Sequence, residues 1–238
     1  MIISTSRRFV FVHTMKTAGD SITRDLKPYL ARGDFVIQND FQAWVHRTSH
    51  RTDSRLRTLV KHSPAATIRQ AVDEDAWESS YKFAFVRHPA DRALSLYRFV
   101  AMKAEERRRL LARNVWYLTP PGKKDDPERW PAIMAFRETD SFSGFIRHPA
   151  LSAAAGMQPQ SEFLCDGDGK LLVDFVGKFE CLDEDMANVR RTLGLPDGAL
   201  SRVNSSQPIV RQNAEISLDD RRFLAKVFED DFSLFGYE

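Results

Sequence analysis

Apolar residues along the chain alternate between short unbroken runs and longer stripes at helical spacing. The run FVFV opens a predicted strand at residues 9–13, and Ile22, Leu26, Tyr29 and Leu30 then recur as one face of a helix. Pro28 falls inside that stripe and predicts the helix end or a kink. Residues 35–37 read as a second short strand, and 41–61 are polar, rich in Arg, Ser and Thr, and predict exposed structure. Ser63-Pro64 predicts a helix start, serine as cap and proline in the first turn, with the helix running to about Val72. YKFAFV at 81–86 is the clearest strand, and Pro89 then opens a helix whose apolar face carries Ala93, Leu94, Leu96, Tyr97 and Val100. EERRRLLAR continues it as a solvated helix.

Proline and charge crowd residues 117–131, predicting a long loop, with a second loop at about 149–162. A short helix is predicted at 142–146 and a strand at 171–176. Residues 183–194 read as a helix with Met186, Val189 and Leu193 on one face and Gly194 as its stop. Ser217 and Asp220 begin a last helix carrying Phe223, Leu224, Val227 and Phe228. Strands alternating with helices predict an α/β domain with a mainly parallel sheet and helices on both faces. No repeat or linker interrupts residues 1–238, so a single domain is expected.

Composition narrows the class. With 42% hydrophobic and 11% aromatic residues the chain can bury a sizeable core, and 29% charge without low-complexity tracts argues against wholesale disorder. A formal net charge of +2 argues against a dedicated nucleic-acid protein. Two cysteines, Cys165 and Cys181, make no disulfide framework, and neither CxxC nor HExxH occurs, so no metal site is expected. A strand begins almost at once, and the N-terminal apolar stretch is too short for a signal peptide or membrane span. The expectation is a soluble cytoplasmic protein with no integral membrane segment.

The chemistry gathers where strands end. After the first run come His13, Lys16, Thr17, Ala18, Gly19, Asp20 and Ser21. Backbone N–H groups at a helix start favour an anion, Gly19 permits close approach, and Lys16 adds a mobile positive charge. GxxxxGK[ST] is absent, so this is not a Walker A loop. Taken alone, the segment reads equally as a plain strand–helix turn with a solvated lysine. Arg87 follows FAFV directly, at the carboxyl end of a strand, where open α/β sheets bind ligands. Ser95 lies eight residues on, about two helical turns away, with Arg92 and Arg98 adding charge. An arginine fork suits a phosphate; the plain alternative is a pairing with a carboxylate such as Asp91. Together the two strand ends suit a nucleotide carrying phosphates at two places.

FVHTMKTAGDSI resembles the 5′-phosphosulfate loop of sulfotransferases that use 3′-phosphoadenosine 5′-phosphosulfate (PAPS), and FAFVRHPADRALSLYRF resembles their 3′-phosphate motif. VDFVGKFECLDEDMANVRRTLGL and FEDDFSLFGY are similar to the carbohydrate branch, the heparan 2-O type (sulfotransferase family 2) and its bacterial relatives. The resemblance implies one P-loop-like, three-layer α/β domain that moves a sulfuryl group from PAPS to an acceptor hydroxyl and releases PAP, with no metal required. It implies that Lys16 binds the 5′-phosphosulfate and stabilises the charge on the bridging oxygen. Thr17, Ala18, Gly19, Asp20 and Ser21 would add backbone or hydroxyl donors, and Arg87 and Ser95 would hold the 3′-phosphate. Of the histidines, His62 is the favoured general base, because the related enzymes carry a catalytic histidine in a comparable segment. The plain alternative for His62 is a surface or capping role.

Two departures stand out. Met15 replaces the usual proline, and Asp20 the usual threonine or serine. A carboxylate facing the phosphosulfate would repel it, so Asp20 is expected to turn away, to cap a backbone N–H or to pair with Arg24 four residues on. The competing functions are a P-loop kinase-like phosphotransferase and a nucleotide-binding protein without catalysis. The acceptor is expected to be a glycan or glycolipid, with a small metabolite also compatible. Trp44, His46, Arg47, His50, Arg51, Lys123, Lys124, Arg129 and Trp130 are candidates to hold it, against the alternative of two solvated loops.

Overall fold

The computed structural model describes residues 1–49, 52–112, 130–200 and 215–238. Its regular elements, in chain order, are strands β1 (Ile2–Ser4) and β2 (Phe9–Val12), helix α1 (Gly19–Leu26), strand β3 (Phe35–Val36), helices α2 (Asp40–Thr48), α3 (Ala65–Ala71) and α4 (Glu74–Glu78), and strand β4 (Tyr81–Val86). The long helix α5 (Pro89–Ala112), α6 (Pro131–Glu138), α7 (Phe142–Ile146) and α8 (Gln160–Leu164) follow, then β5 (Phe175–Lys178), α9 (Leu182–Thr192), α10 (Leu218–Val227) and α11 (Glu229–Phe235). The residues pack as two compact units, Met1–Arg87 with Pro159–Val203, and His88–Gln158 with Asn204–Glu238.

The first unit holds a five-stranded sheet in the order β3-β1-β2-β4-β5. β2, β4 and β5 run parallel, with Phe11 opposite Phe83 and Phe83 opposite Phe175, while β1 pairs antiparallel with both β2 and β3. β2 and β4 are buried on both faces, as their near-continuous apolar runs require, while β5 is mostly half-buried. On one face Phe9, Phe11, Phe83 and Phe85 pack with Ile22 and Leu26 of α1 and Met186 and Val189 of α9. All three parallel strands therefore deliver their following residues to one edge, the edge at which open α/β sheets bind ligands.

Several sequence expectations shift by a few residues. Pro28 sits in a single 3₁₀ turn, Lys27–Tyr29, that closes α1. Ser63 does not cap α3; Pro64 takes that place, and the Ser63 hydroxyl accepts the Val60 N–H at 2.9 Å. The strand expected at 171–176 begins only at Phe175. Before it, Leu171 makes an isolated bridge to Cys165 around the turn at Gly169, and the Asp174 N–H donates to the Lys82 carbonyl. Polar residues 41–61 include a genuine helix, α2, capped by the Asn39 side chain. The predicted loop at 149–162 is broken by 3₁₀ turns and α8.

In the second unit α5 packs with α6, α7 and α10, and Tyr97 meets Phe136, Phe142 and Phe145 at ring distances of 5.1–5.7 Å. Arg92, expected near a phosphate, is instead buried inside this unit. It faces Asp231 at 3.6 Å, donates to the Gly156 and Gln158 carbonyls, and lies over the Phe228 ring. Ser217 and Asp220 form the reciprocal capping box that starts α10. Among the described residues no helix is long and apolar enough to cross a membrane.

Candidate active site at the carboxyl ends of the strands

β2 ends at Val12 and the chain turns through residues 13–18 into α1. Lys16 and Ala18 both take left-handed backbone conformations, φ +66° and +62°. Each costs about 1–2 kcal/mol for a residue with a Cβ, so the surrounding contacts must hold the turn. Thr14 does much of this: its hydroxyl donates to the Phe85 carbonyl of β4 and lies 2.9 Å from the Thr17 hydroxyl. The Thr17 hydroxyl also reaches the Thr14 carbonyl at 3.1 Å. Left-handed Ala18 followed by helical Gly19 is the alternation that turns successive backbone N–H groups toward a common anion.

The donor set expected from the sequence is thereby refined. Thr17 is buried and its hydroxyl serves the loop itself. The Ser21 N–H donates to the Ala18 carbonyl at 2.9 Å. Gly19 is needed because His13 lies against it: a Cβ there would stand 1.9 Å from His13 Nε2. His13 is buried, and its ring is held well below the ordinary histidine range, by burial first and then by the N-terminal amino group, His62 and Lys61.

Lys16 and Arg87 converge. The Arg87 guanidinium stands 3.5 Å from the Lys16 carbonyl and stacks over the Phe179 ring at 4.1 Å. Gln160 holds the Arg87 backbone from both sides, its amide oxygen accepting the N–H and its amide nitrogen donating to the carbonyl, each at 2.9 Å. Lys16 is pushed down to about 8, chiefly by burial, then by Arg87; Asp20 acts in the opposite direction, and Lys61 lowers it further. A desolvated lysine in the turn, the Arg87 guanidinium reaching it from the end of β4 and helix N–H groups beside them fit a phosphate-bearing ligand. Gln160, Phe179 and Thr14 escape a sequence reading. Phe179 alone leaves a trace, an aromatic just past the end of a third parallel strand.

Asp20 takes a partner other than the expected Arg24 or backbone N–H, and it stays close enough to Lys16 to favour that lysine's charged form. Its carboxylate pairs with the Lys61 ammonium at 2.6 Å, while Arg24 is exposed to solvent. Lys61 and His62 form the tip of a tight turn closed by Ser63 N–H to the Val60 carbonyl at 3.1 Å. His62 Nδ1 is 2.8 Å from the His13 carbonyl, and its ring meets His13 edge-on at 4.7 Å. A carbonyl only accepts, so this bond assigns the proton to Nδ1 and makes Nε2 the lone-pair nitrogen of the neutral ring.

The remaining candidates are engaged elsewhere. His46 bonds the Val36 carbonyl and Thr52, and His148 pairs with Glu138. His88, in the second unit, packs against Phe232 and Tyr237. Ser95 also lies in that unit, half-buried on α5, so its expected phosphate contact rests on the motif alone. Trp44 is 57% exposed and stacks with Phe41, whereas Trp130 packs on Phe99. His50, Arg51, Lys123, Lys124 and Arg129 lie outside the described residues.

Comparison with protein families matches the sulfotransferase family over residues 1–238, the whole chain. Comparisons with curated proteins and with solved structures found no match.

Proposed function

As the chain belongs to the sulfotransferase family, we propose that it moves the sulfuryl group of PAPS to a hydroxyl of a carbohydrate or glycolipid and releases PAP. The observation that carries this reading is the convergence of Lys16 and Arg87 at the ends of adjacent parallel strands. Lys16, with the backbone N–H groups around Gly19, receives the 5′-phosphosulfate; Arg87 receives the 3′-phosphate. The 3.5 Å contact of Arg87 with a carbonyl is at the limit of a hydrogen bond and is readily exchanged for a phosphate oxygen.

PAPS supplies an activated sulfuryl group, and the chain supplies position and charge. In the transfer, an acceptor O–S bond forms as the S–O bond to the phosphate breaks. Lys16 stabilises the negative charge that grows on the departing oxygen. His62 Nε2 takes the acceptor proton, because its partner nitrogen is already committed to the His13 carbonyl. The Asp20–Lys61 pair removes the main objection to catalysis in this loop, a bare carboxylate next to the donor.

Transfer of labelled sulfate from PAPS to a panel of glycans and glycolipids tests the reading. Turnover that Lys16→Met reduces by roughly 100-fold or more, as expected for loss of charge stabilisation, supports it. PAP binding without turnover on any acceptor would favour a nucleotide-binding protein instead, and ATP binding without PAP binding would refute the donor assignment.

A further inference from the structure

The turn at 60–63 makes two separate attachments to the donor loop from two adjacent residues. Lys61 pairs with Asp20, in the first turn of α1, and His62 bonds the His13 carbonyl, at the end of β2. Ser63 closes the turn from inside, its hydroxyl accepting the Val60 N–H and its N–H reaching the Val60 carbonyl. The side chain of Lys61 is 18% exposed and that of Asp20 43%. An ion pair this open adds about 0–1 kcal/mol to stability, so stability alone does not account for its placement beside the turn that carries Lys16.

We propose that Lys61 is a positioning residue, whose ammonium cancels the Asp20 carboxylate at the donor loop and fixes the turn that presents His62. The inference rests on the donor reading given above. Each half follows from chemistry at a named atom. Asp20 occupies the first turn of the helix whose N–H groups would face a phosphate, where an unpaired carboxylate repels that phosphate. Lys61 and His62 are consecutive, so holding the Lys61 side chain restricts the rotation that would carry the His62 ring off the His13 carbonyl. Lys61 itself touches neither donor nor acceptor in this scheme. It acts through Asp20 on donor affinity and through the backbone on the orientation of His62.

PAP titrations and nitrogen-15 spectra of the histidine rings, recorded on the full chain, separate the two effects. Lys61→Met should weaken PAP binding about 10-fold, equivalent to about 1.4 kcal/mol, and abolish the spectral signature of the His62 Nδ1–H tautomer. Asp20→Thr combined with Lys61→Met should restore PAP binding without restoring that signature, because the repulsion is gone but the tether is not. Lys61→Arg should keep both, and it also controls for folding. Lys61→Met that binds PAP as tightly as the unmodified chain, or that keeps the His62 signature, overturns the proposal. Failure of the unmodified chain to bind PAP is a different result: it refutes the donor reading on which the proposal stands.

Discussion

Replacing Gly19 with alanine tests how the donor loop is built. The added Cβ would lie 1.9 Å from His13 Nε2, 2.1 Å from Cδ2 and 2.6 Å from Cε1, where ordinary contact begins at 3.4 Å. Relief therefore requires a shift of about 1.5 Å between helix and ring. The ring has little room to give: it is 4% exposed, stacked on Phe11 at 5.6 Å and edge-on to His62 at 4.7 Å. Overpacking of this kind costs about 1–3 kcal/mol, and so large an overlap belongs at or above the upper end. For a chain of this size, about 3 kcal/mol corresponds to a fall in Tm of roughly 6–12 °C. PAP affinity should fall too, because the backbone that moves belongs to the turn proposed to receive the phosphate. Thermal unfolding of Gly19→Ala, His13→Ala and the double variant measures this. The double variant should be more stable than the sum of the two losses predicts, since removing the ring removes the clash. Gly19→Ala melting within ~2 °C of the unmodified protein, with PAP affinity unchanged, would refute the packing argument.

Buried His13 stays neutral in the fold but accepts a proton near pH 6.5 once unfolded. Its contribution is therefore complete above about pH 6.5 and declines as pH falls below it, by up to about 1.4 kcal/mol per pH unit, until the depressed native value is reached; chemical denaturation of His13→Phe should lack this slope. Lys16 titrates near 8 in the unliganded protein, so PAP affinity should drop as pH rises through that value, and calorimetry of Lys16→Met should show weaker binding without the drop. Arg92→Met should cost about 3–5 kcal/mol by leaving the fully buried Asp231 carboxylate without its guanidinium, measurable by denaturant unfolding. Adding Asp231→Leu should recover much of that loss, since replacing both members of a buried pair is far milder than breaking it.

The strands that place the site are legible because they are buried on both faces: YKFAFV and FVFV are continuous apolar runs with polar residues immediately after them. Helix starts with a local device are equally legible, as the Ser217–Asp220 capping box shows. Ser63 shows the limit of such reasoning. The residue has cap chemistry, but its hydroxyl instead closes the turn that carries Lys61 and His62. Lys16 and Arg87 could be read from strand-end position. Gln160 could not, since it meets the Arg87 backbone across a sequence separation of 73 residues and nothing near it marks that role. Asp20 shows the same limit. Its awkward charge predicts that it must turn aside, yet its partner lies 41 residues away rather than four, because Lys61 is brought to the loop by tertiary packing.

In the proposed function Lys16 and Arg87 recognise the two phosphate groups of one nucleotide. Calorimetric titration with PAP and with 5′-AMP, which lacks the 3′-phosphate, isolates the Arg87 contribution. PAP should bind roughly 10–100-fold more tightly than 5′-AMP, the range of a charged hydrogen-bonding contact; Arg87→Met should erase that difference, and Lys16→Met should weaken both ligands. Equal binding of PAP and 5′-AMP by the unmodified protein, or a preference for PAP that survives Arg87→Met, would contradict it.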